Sequence, residues 1–162
     1  LGLGHLYDHG IGVEKSKGVA KTWYERAARS GNVDAQLRLV GLYLREDTAV
    51  AGKQALYWVK EAAGSGKSQA VNDYAWLLAT SRFDEIRNGT LALDQAQRAV
   101  SKRASAAFLD TLAAAYAEIG NFNEAIAVQE QAIAAIVREE ADLLGELQTR
   151  LEYYQRNQPW RE

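Results

Sequence analysis

A twelve-residue pattern occurs twice in this chain, displaced by 35 residues, and it constrains the fold more than any other feature. Ala20, Trp23, Ala27, Ala28, Ser30 and Gly31 recur as Ala55, Trp58, Ala62, Ala63, Ser65 and Gly66. Four residues after each Ser-Gly stands a further alanine, Ala35 and Ala70. A repeat of this length is one supersecondary unit that cannot bury its apolar face alone, so neighbours must stack. Each repeat reads as two helices. In the first, the second helix is predicted from about Lys17 to Arg29. Ala20, Trp23, Tyr24, Ala27 and Ala28 then share one face at helical spacing. Gly31 is placed to end that helix, because glycine adopts the left-handed conformation without steric cost. The next helix is predicted from near Val33, carrying Ala35, Leu39 and Tyr43 inward.

These residues resemble the Sel1-like repeat family. Leu3-Gly4, Tyr7, Gly10, Gly12 and Val13 match the first half of its pattern. Ala20, Trp23, Tyr24, Arg26, Ala27, Ala28, Gly31 and Ala35 match the second half, with arginine for the usual lysine. In the second repeat Leu39 and Tyr43 keep their places, but Val40 replaces the glycine, and a polar stretch, Arg45 to Gly52, replaces the Gly-x-Gly turn. The third repeat runs through Ala70, Tyr74 and Trp76, a connector from Ser81 to Gly89, and a helix from about Thr90 to Lys102 with Ala92, Ala96, Ala99 and Val100 inward. The fourth resembles a tetratricopeptide repeat at Leu112-Ala113, Tyr116, Gly120, Glu124-Ala125 and Ala132. Gln129 stands there where an aromatic is commoner, and Val137 where proline is usual.

The resemblance implies an all-α fold, a right-handed α-α superhelix (solenoid) of about four helical hairpins plus a C-terminal capping helix. We read residues 1–162 as a single repeat domain, with repeats at about 1–31, 32–66, 67–103 and 104–137 and the capping helix at 138–157. Along that last helix Leu144, Leu147, Leu151 and Tyr154 form an apolar stripe. Glu139, Glu146, Arg150 and Glu152 are expected on the opposite face. The stripe suits a cap over the last hairpin, and its narrowness also suits a dimerising or partner-binding seam. The resemblance implies a protein or peptide partner, and a bacterial protein of the periplasm or exterior, with the cytoplasm as the alternative.

Composition removes several other classes. The single proline, Pro159, permits helix almost throughout. A net charge of −2 argues against a general nucleic-acid binder. No apolar run reaches the roughly 18 residues of a membrane span. The absence of cysteine excludes disulfides and thiolate metal sites. There is also no methionine, and Leu1 to Gly4 open inside a repeat, which points to a longer parent chain.

Motifs that suggest chemistry have simpler readings. His5 and His9 share a helix face but lack H-E-x-x-H and a third ligand, so no metal is expected. Gly10-Ile11-Gly12-Val13 reads as the turn between the first two helices. Gly64 to Ser68 contains Gly-Lys-Ser, but Glu61 stands where a phosphate loop needs glycine. Asp84-Glu85 and Glu139-Glu140 diverge on a helix and read as solvent-facing. Asn88-Gly89-Thr90 reads as a turn, with the Asn or the Thr side chain capping the following helix, rather than as a glycosylation site. No catalytic set is legible, and neither an enzyme nor a cofactor is expected.

In helix-pair repeats the first helix of each pair lines the concave surface. Superposition on the tetratricopeptide pattern places there His5, Asp8 and His9; Leu37, Gly41 and Arg45; Asn72, Trp76 and Thr80; and Asp110, Ala114 and Glu118. The candidate partner-binding residues are Arg45, Asn72, Trp76, Asp110 and Glu118. Trp76 reads either as a peptide anchor or as packing against a neighbouring helix. Leu37, Arg38, Asp73 and Asp110 stand where some tetratricopeptide proteins clamp a terminal carboxylate, so recognition of chaperone tails is not expected. The function expected is a protein-interaction scaffold. The alternatives are an oligomerisation module, as a homo-oligomer, or an accessory regulatory domain of a larger chain.

Overall fold

The computed structural model describes residues 1–136 and 142–162. Among these residues there are helices and no strand: α1 (Gly2–His9), α2 (Lys17–Arg29), α3 (Val33–Leu44), α4 (Ala49–Gly64), α5 (Ser68–Thr80), α6 (Gly89–Lys102), α7 (Ala106–Glu118), α8 (Phe122–Ala134) and α9 (Leu144–Gln155). The fold is an all-α helical repeat. Five helices begin at a side chain that accepts the backbone N–H three residues on: Ser16, Asn32, Thr48, Asn88 and Ser105. Each such cap is worth about 1 kcal/mol. Of the two caps that the sequence allows, Asn88 and Thr90, Asn88 is the one used, its Oδ1 3.0 Å from the Leu91 nitrogen. Val137, Glu139 and Glu140, and the start of the predicted capping helix, lie outside the described residues.

The chain divides into two compact units, Leu1–Ala70 and Val71–Glu162. In the first, α1 packs on α2, α2 on α3, and α3 on α4. Its core is mostly small and aliphatic, with the rings of Tyr24 and Trp58 among it: Ala20, Tyr24, Ala28, Ala35, Leu39, Ala55, Trp58, Val59 and Ala62 are buried. Gly4 is there because of Tyr24. A Cβ at Gly4 would lie 2.7 Å from two ring carbons, so only glycine lets α1 approach that ring. At the corresponding positions of the second hairpin stand Val40 and Val59, both buried. The repeat thus carries two buried medium side chains where the first hairpin carries glycine and tyrosine.

The Gly-x-Gly turn has the backbone it needs, with Gly10 and Gly12 both left-handed at φ near 70°. The polar stretch that replaces it is shorter than the sequence suggests. α4 starts at Ala49, so residues 49–52 are helical rather than loop, because Thr48 caps them. Asp47 takes the left-handed conformation that glycine supplies in the first turn, with φ 51°. Lys21 reaches across to this turn. Its ammonium lies 2.7 Å from Glu46 and 3.9 Å from the centre of the Tyr43 ring. These neighbours raise its pKa although burial opposes them.

In the second unit α6 packs on α7, α7 on α8, and α8 on α9. One apolar cluster joins Ala106, Leu109, Ala132 and Leu147, and another joins Ala113, Ala117, Ala125 and Tyr154. α9 therefore covers α8 as a cap through Leu147 and Tyr154. Arg150 departs from expectation: it lies on the covered face with Leu147 and Tyr154, not on the solvent face. Positions 147, 150 and 154 are one helical turn apart in succession, and a buried carboxylate draws the guanidinium inward.

Candidate partner-binding surface

The first-helix positions of the two units differ in what covers them. In the first unit His5, His9, Gly41 and Arg45 are exposed, while Asp8 and Leu37 are half-buried. His9 Nδ1 donates to the His5 carbonyl at 3.1 Å, which fits an exposed pair. Among the described residues no group of three or more His, Cys, Asp or Glu is arranged to hold a metal ion. Arg45 sits at the C-terminal end of α3, where its charge complements the exposed carbonyls.

In the second unit Asn72, Thr80, Asp110 and Ala114 are buried. Asp110 is held from two sides. Its Oδ1 accepts from Gln129 Nε2 at 2.8 Å and from Arg150 Nε at 3.0 Å, and its Oδ2 lies 2.9 Å from a terminal nitrogen of Arg150. Burial pushes the Asp110 carboxyl above the usual carboxylate range, with the Arg150 charge opposing. Arg150 itself stays charged: the carboxylates of Asp110 and Glu146 outweigh the cost of its burial. Gln129 replaces the commoner aromatic for a visible reason. It is fully buried, and its Nε2 also donates to the Leu147 carbonyl at 3.0 Å, tying α8 to both α7 and α9. Asn72 Oδ1 has no hydrogen-bond partner among the described residues.

The remaining first-helix groups of this unit, Trp76 and Glu118, meet residues 157–162, which return across α5 after α9 ends. The turn is encoded locally. Asn157 adopts φ 56°, its N–H donates to Tyr154 O and that of Gln158 to Tyr153 O, both at 2.9 Å, and Pro159 follows. This is the double hydrogen bond of a glycine-type helix stop, with asparagine in the glycine's place. The segment then pairs with the end of α5. The Glu162 N–H donates to Thr80 O and the Arg82 N–H donates to Glu162 O, both at 2.8 Å.

Three side chains of the returning segment are received. Trp160 packs on the cluster of Ala113, Ala117, Ala125 and Tyr154, edge-on to Tyr153 with ring centres 5.1 Å apart. Arg161 lies 2.7 Å from Glu118 Oε2 and donates to the Ala79 carbonyl at 3.5 Å. The Glu162 carboxylate accepts the Trp76 indole N–H at 2.9 Å. Glu118 is 13% exposed and is gripped from its other side by Arg87, whose Nε is 3.0 Å from Oε1. Arg87 also donates to Ser81 O at 2.7 Å and pairs with Asp84, fixing the connector between α5 and α6. The Arg150 guanidinium lies 5.1 Å from the Trp76 ring centre and 5.7 Å from that of Trp160, within cation–π reach of both.

A solved structure shares this architecture. The crystal structure of a Sel1 repeat protein from Oxalobacter formigenes matches with a TM-score of 0.63 and 22% identity, over 96% of this chain and 69% of that one. The chain shares the fold of a Sel1 repeat protein. No protein-family model matches the sequence, and no curated protein does. The Sel1-type reading of the first repeats thus holds at the level of fold. Gly4 explains its Leu-Gly signature by the approach of the Tyr24 ring.

Sequence reasoning missed Arg150, Trp160, Arg161 and Glu162. Asn157 and Pro159 carried a usable signal, since together they stop a helix and turn the chain. Among the described residues no helix is long and apolar enough to cross a membrane.

Proposed function

We propose that this chain is a protein-interaction scaffold without catalysis of its own, and that the first helices of its hairpins carry the contact residues. The observation behind this reading is that α5 and α7 already receive an extended peptide, residues 157–162, through backbone pairing, an ion pair and an aromatic seat. Trp76 and Glu118 are the contact residues of that surface. Asn72 and Asp110 are buried in the same unit, so they are not its contact residues. Arg45 is the contact residue of the open α3 surface. A preformed helical surface binds with little ordering cost on its own side.

The test is partner capture from a cell extract by the intact chain and by surface variants. Arg45→Glu is expected to lose captured partners with circular dichroism and melting temperature close to those of the parent. Trp76→Ala is expected to lose them while keeping its helical circular dichroism, at a lower melting temperature because it also gives up its contacts with Glu162 and Arg150. Unchanged capture by both variants would overturn the reading. Sedimentation of the same samples separates the oligomer alternative, which requires a mass that rises with concentration.

A further inference from the structure

We propose that residues 157–162 are a tethered ligand: the α5–α7 surface of the second unit is a recognition site for an extended peptide carrying an aromatic residue, arginine and glutamate in succession. This rests on the scaffold reading and specifies its ligand. Each of the three side chains meets a group suited to it. The aromatic ring packs on the cluster of Ala113, Ala117, Ala125 and Tyr154, where three alanines beside one phenol leave an apolar surface for an indole. The arginine meets Glu118, a largely buried carboxylate already positioned by Arg87, so it docks as a second cation on a fixed anion. The glutamate accepts from the Trp76 indole N–H, while its own backbone pairs with Thr80 and Arg82.

The mode of attachment is that of a ligand rather than a core element. The segment has no helical hydrogen bonds of its own beyond the turn at Asn157, and Glu162 and Gln158 are exposed. Trp160 Nε1 is buried without a hydrogen-bond partner among the described residues, a cost that a better-fitting aromatic would avoid. Backbone pairing for affinity and alternating side-chain seats for specificity is the logic of peptide recognition along an extended strand. A segment held by a short turn has an effective concentration on the order of millimolar, so it competes strongly with any peptide supplied from outside. A partner of this chemistry therefore binds well only when the tethered segment lets go.

The test uses the full chain and a fluorescein-labelled peptide of residues 156–162, followed by anisotropy. The variant Trp160→Ala with Arg161→Ala and Glu162→Ala empties the site. The emptied variant is expected to bind the peptide at least about tenfold more tightly than the parent chain. Adding Glu118→Gln to it, or replacing the peptide's tryptophan with alanine, is expected to remove most of that gain. Equal affinity for parent and emptied variant would overturn the proposal. So would an absence of binding to an emptied variant that keeps its helical circular dichroism. An emptied variant that loses its helical signal would overturn it too, because the segment would then be a structural strap. None of these outcomes bears on Arg45 and the α3 surface, so capture through the first unit stands or falls separately.

Discussion

The two compact units use the same helical hairpin but solve the problem of its first-helix surface in opposite ways. The first leaves His5, His9, Gly41 and Arg45 open to water. The second covers Asp110 with α9 and meets Trp76 and Glu118 with residues 157–162. Their interiors differ accordingly. Gln36 is the buried polar residue identified in the first unit, and it donates to the Ala28 carbonyl at 3.2 Å. The second unit buries Asn72, Thr80, Ser81, Gln95, Asp110, Thr111, Gln129 and Arg150. A surface built to meet water or a partner carries polar groups, and covering it forces those groups to find partners within the chain. The first unit is filled almost wholly by apolar side chains, whereas the second sets a connected polar group, Asp110, Gln129 and Arg150, beside its apolar clusters.

The largest test of that difference is Arg150→Ala. It leaves Asp110 buried without its cation and is expected to cost about 3–5 kcal/mol, read from urea unfolding. The paired change Asp110→Leu with Arg150→Met removes both charges and is expected to restore most of that loss. The exposed ion pair of the first unit gives the contrast, since losing the Lys21–Glu46 link by Glu46→Ala is expected to cost under about 1 kcal/mol. If the two single substitutions cost the same, the contrast between the units fails.

Gly4→Ala comes next. Its Cβ meets the Tyr24 ring at 2.7 Å, and the expected cost is about 1–3 kcal/mol from overpacking. Combining Gly4→Val with Tyr24→Val copies the second hairpin's solution. The double variant is expected to be more stable than Gly4→Val alone in thermal melts. No recovery would show that the valine pair does not stand in for the glycine and the ring.

The smallest effect is expected for Tyr154→Phe. The Tyr154 hydroxyl is buried without a hydrogen-bond partner among the described residues, so its removal should change stability at neutral pH by less than about 1 kcal/mol. Burial raises this phenol's pKa far above the tyrosine range. A group whose folded pKa is raised contributes stability that is present below the unfolded value, about 10 for tyrosine, and is lost as pH rises above it. Tyr154→Phe should therefore flatten the alkaline loss of stability. Tyr24, whose pKa burial also raises, should give a similar alkaline effect in the first unit.

Much of the fold is legible in the sequence because small residues and glycines recur at fixed offsets. Ala20, Ala28, Ala35 and Ala55 are buried where the repeat places them, and Lys17–Arg29 is the helix that its spacing predicts. Local chemistry also reads well, as Asn88 shows at the start of α6. What escapes is set by pairings distant in sequence. Arg150 sits one turn from both Leu147 and Tyr154, so a helical wheel allows it on either edge of the stripe. Only Asp110, forty residues earlier, decides which. Trp76 reads from sequence as anchor or packing, and its actual acceptor, the side chain of Glu162, is 86 residues away.

The central claim is that residues 157–162 lie on the α5–α7 surface as a ligand rather than as core, and hydrogen exchange of the unmodified chain tests it most directly. The paired amides of Glu162 and Arg82 are expected to exchange by local opening, on the order of 100-fold faster than the amides of Ala113 and Ala117 in α7. Exchange of Glu162 at the same slow rate as α7 would mean that the segment opens only when the unit unfolds, and would contradict the account.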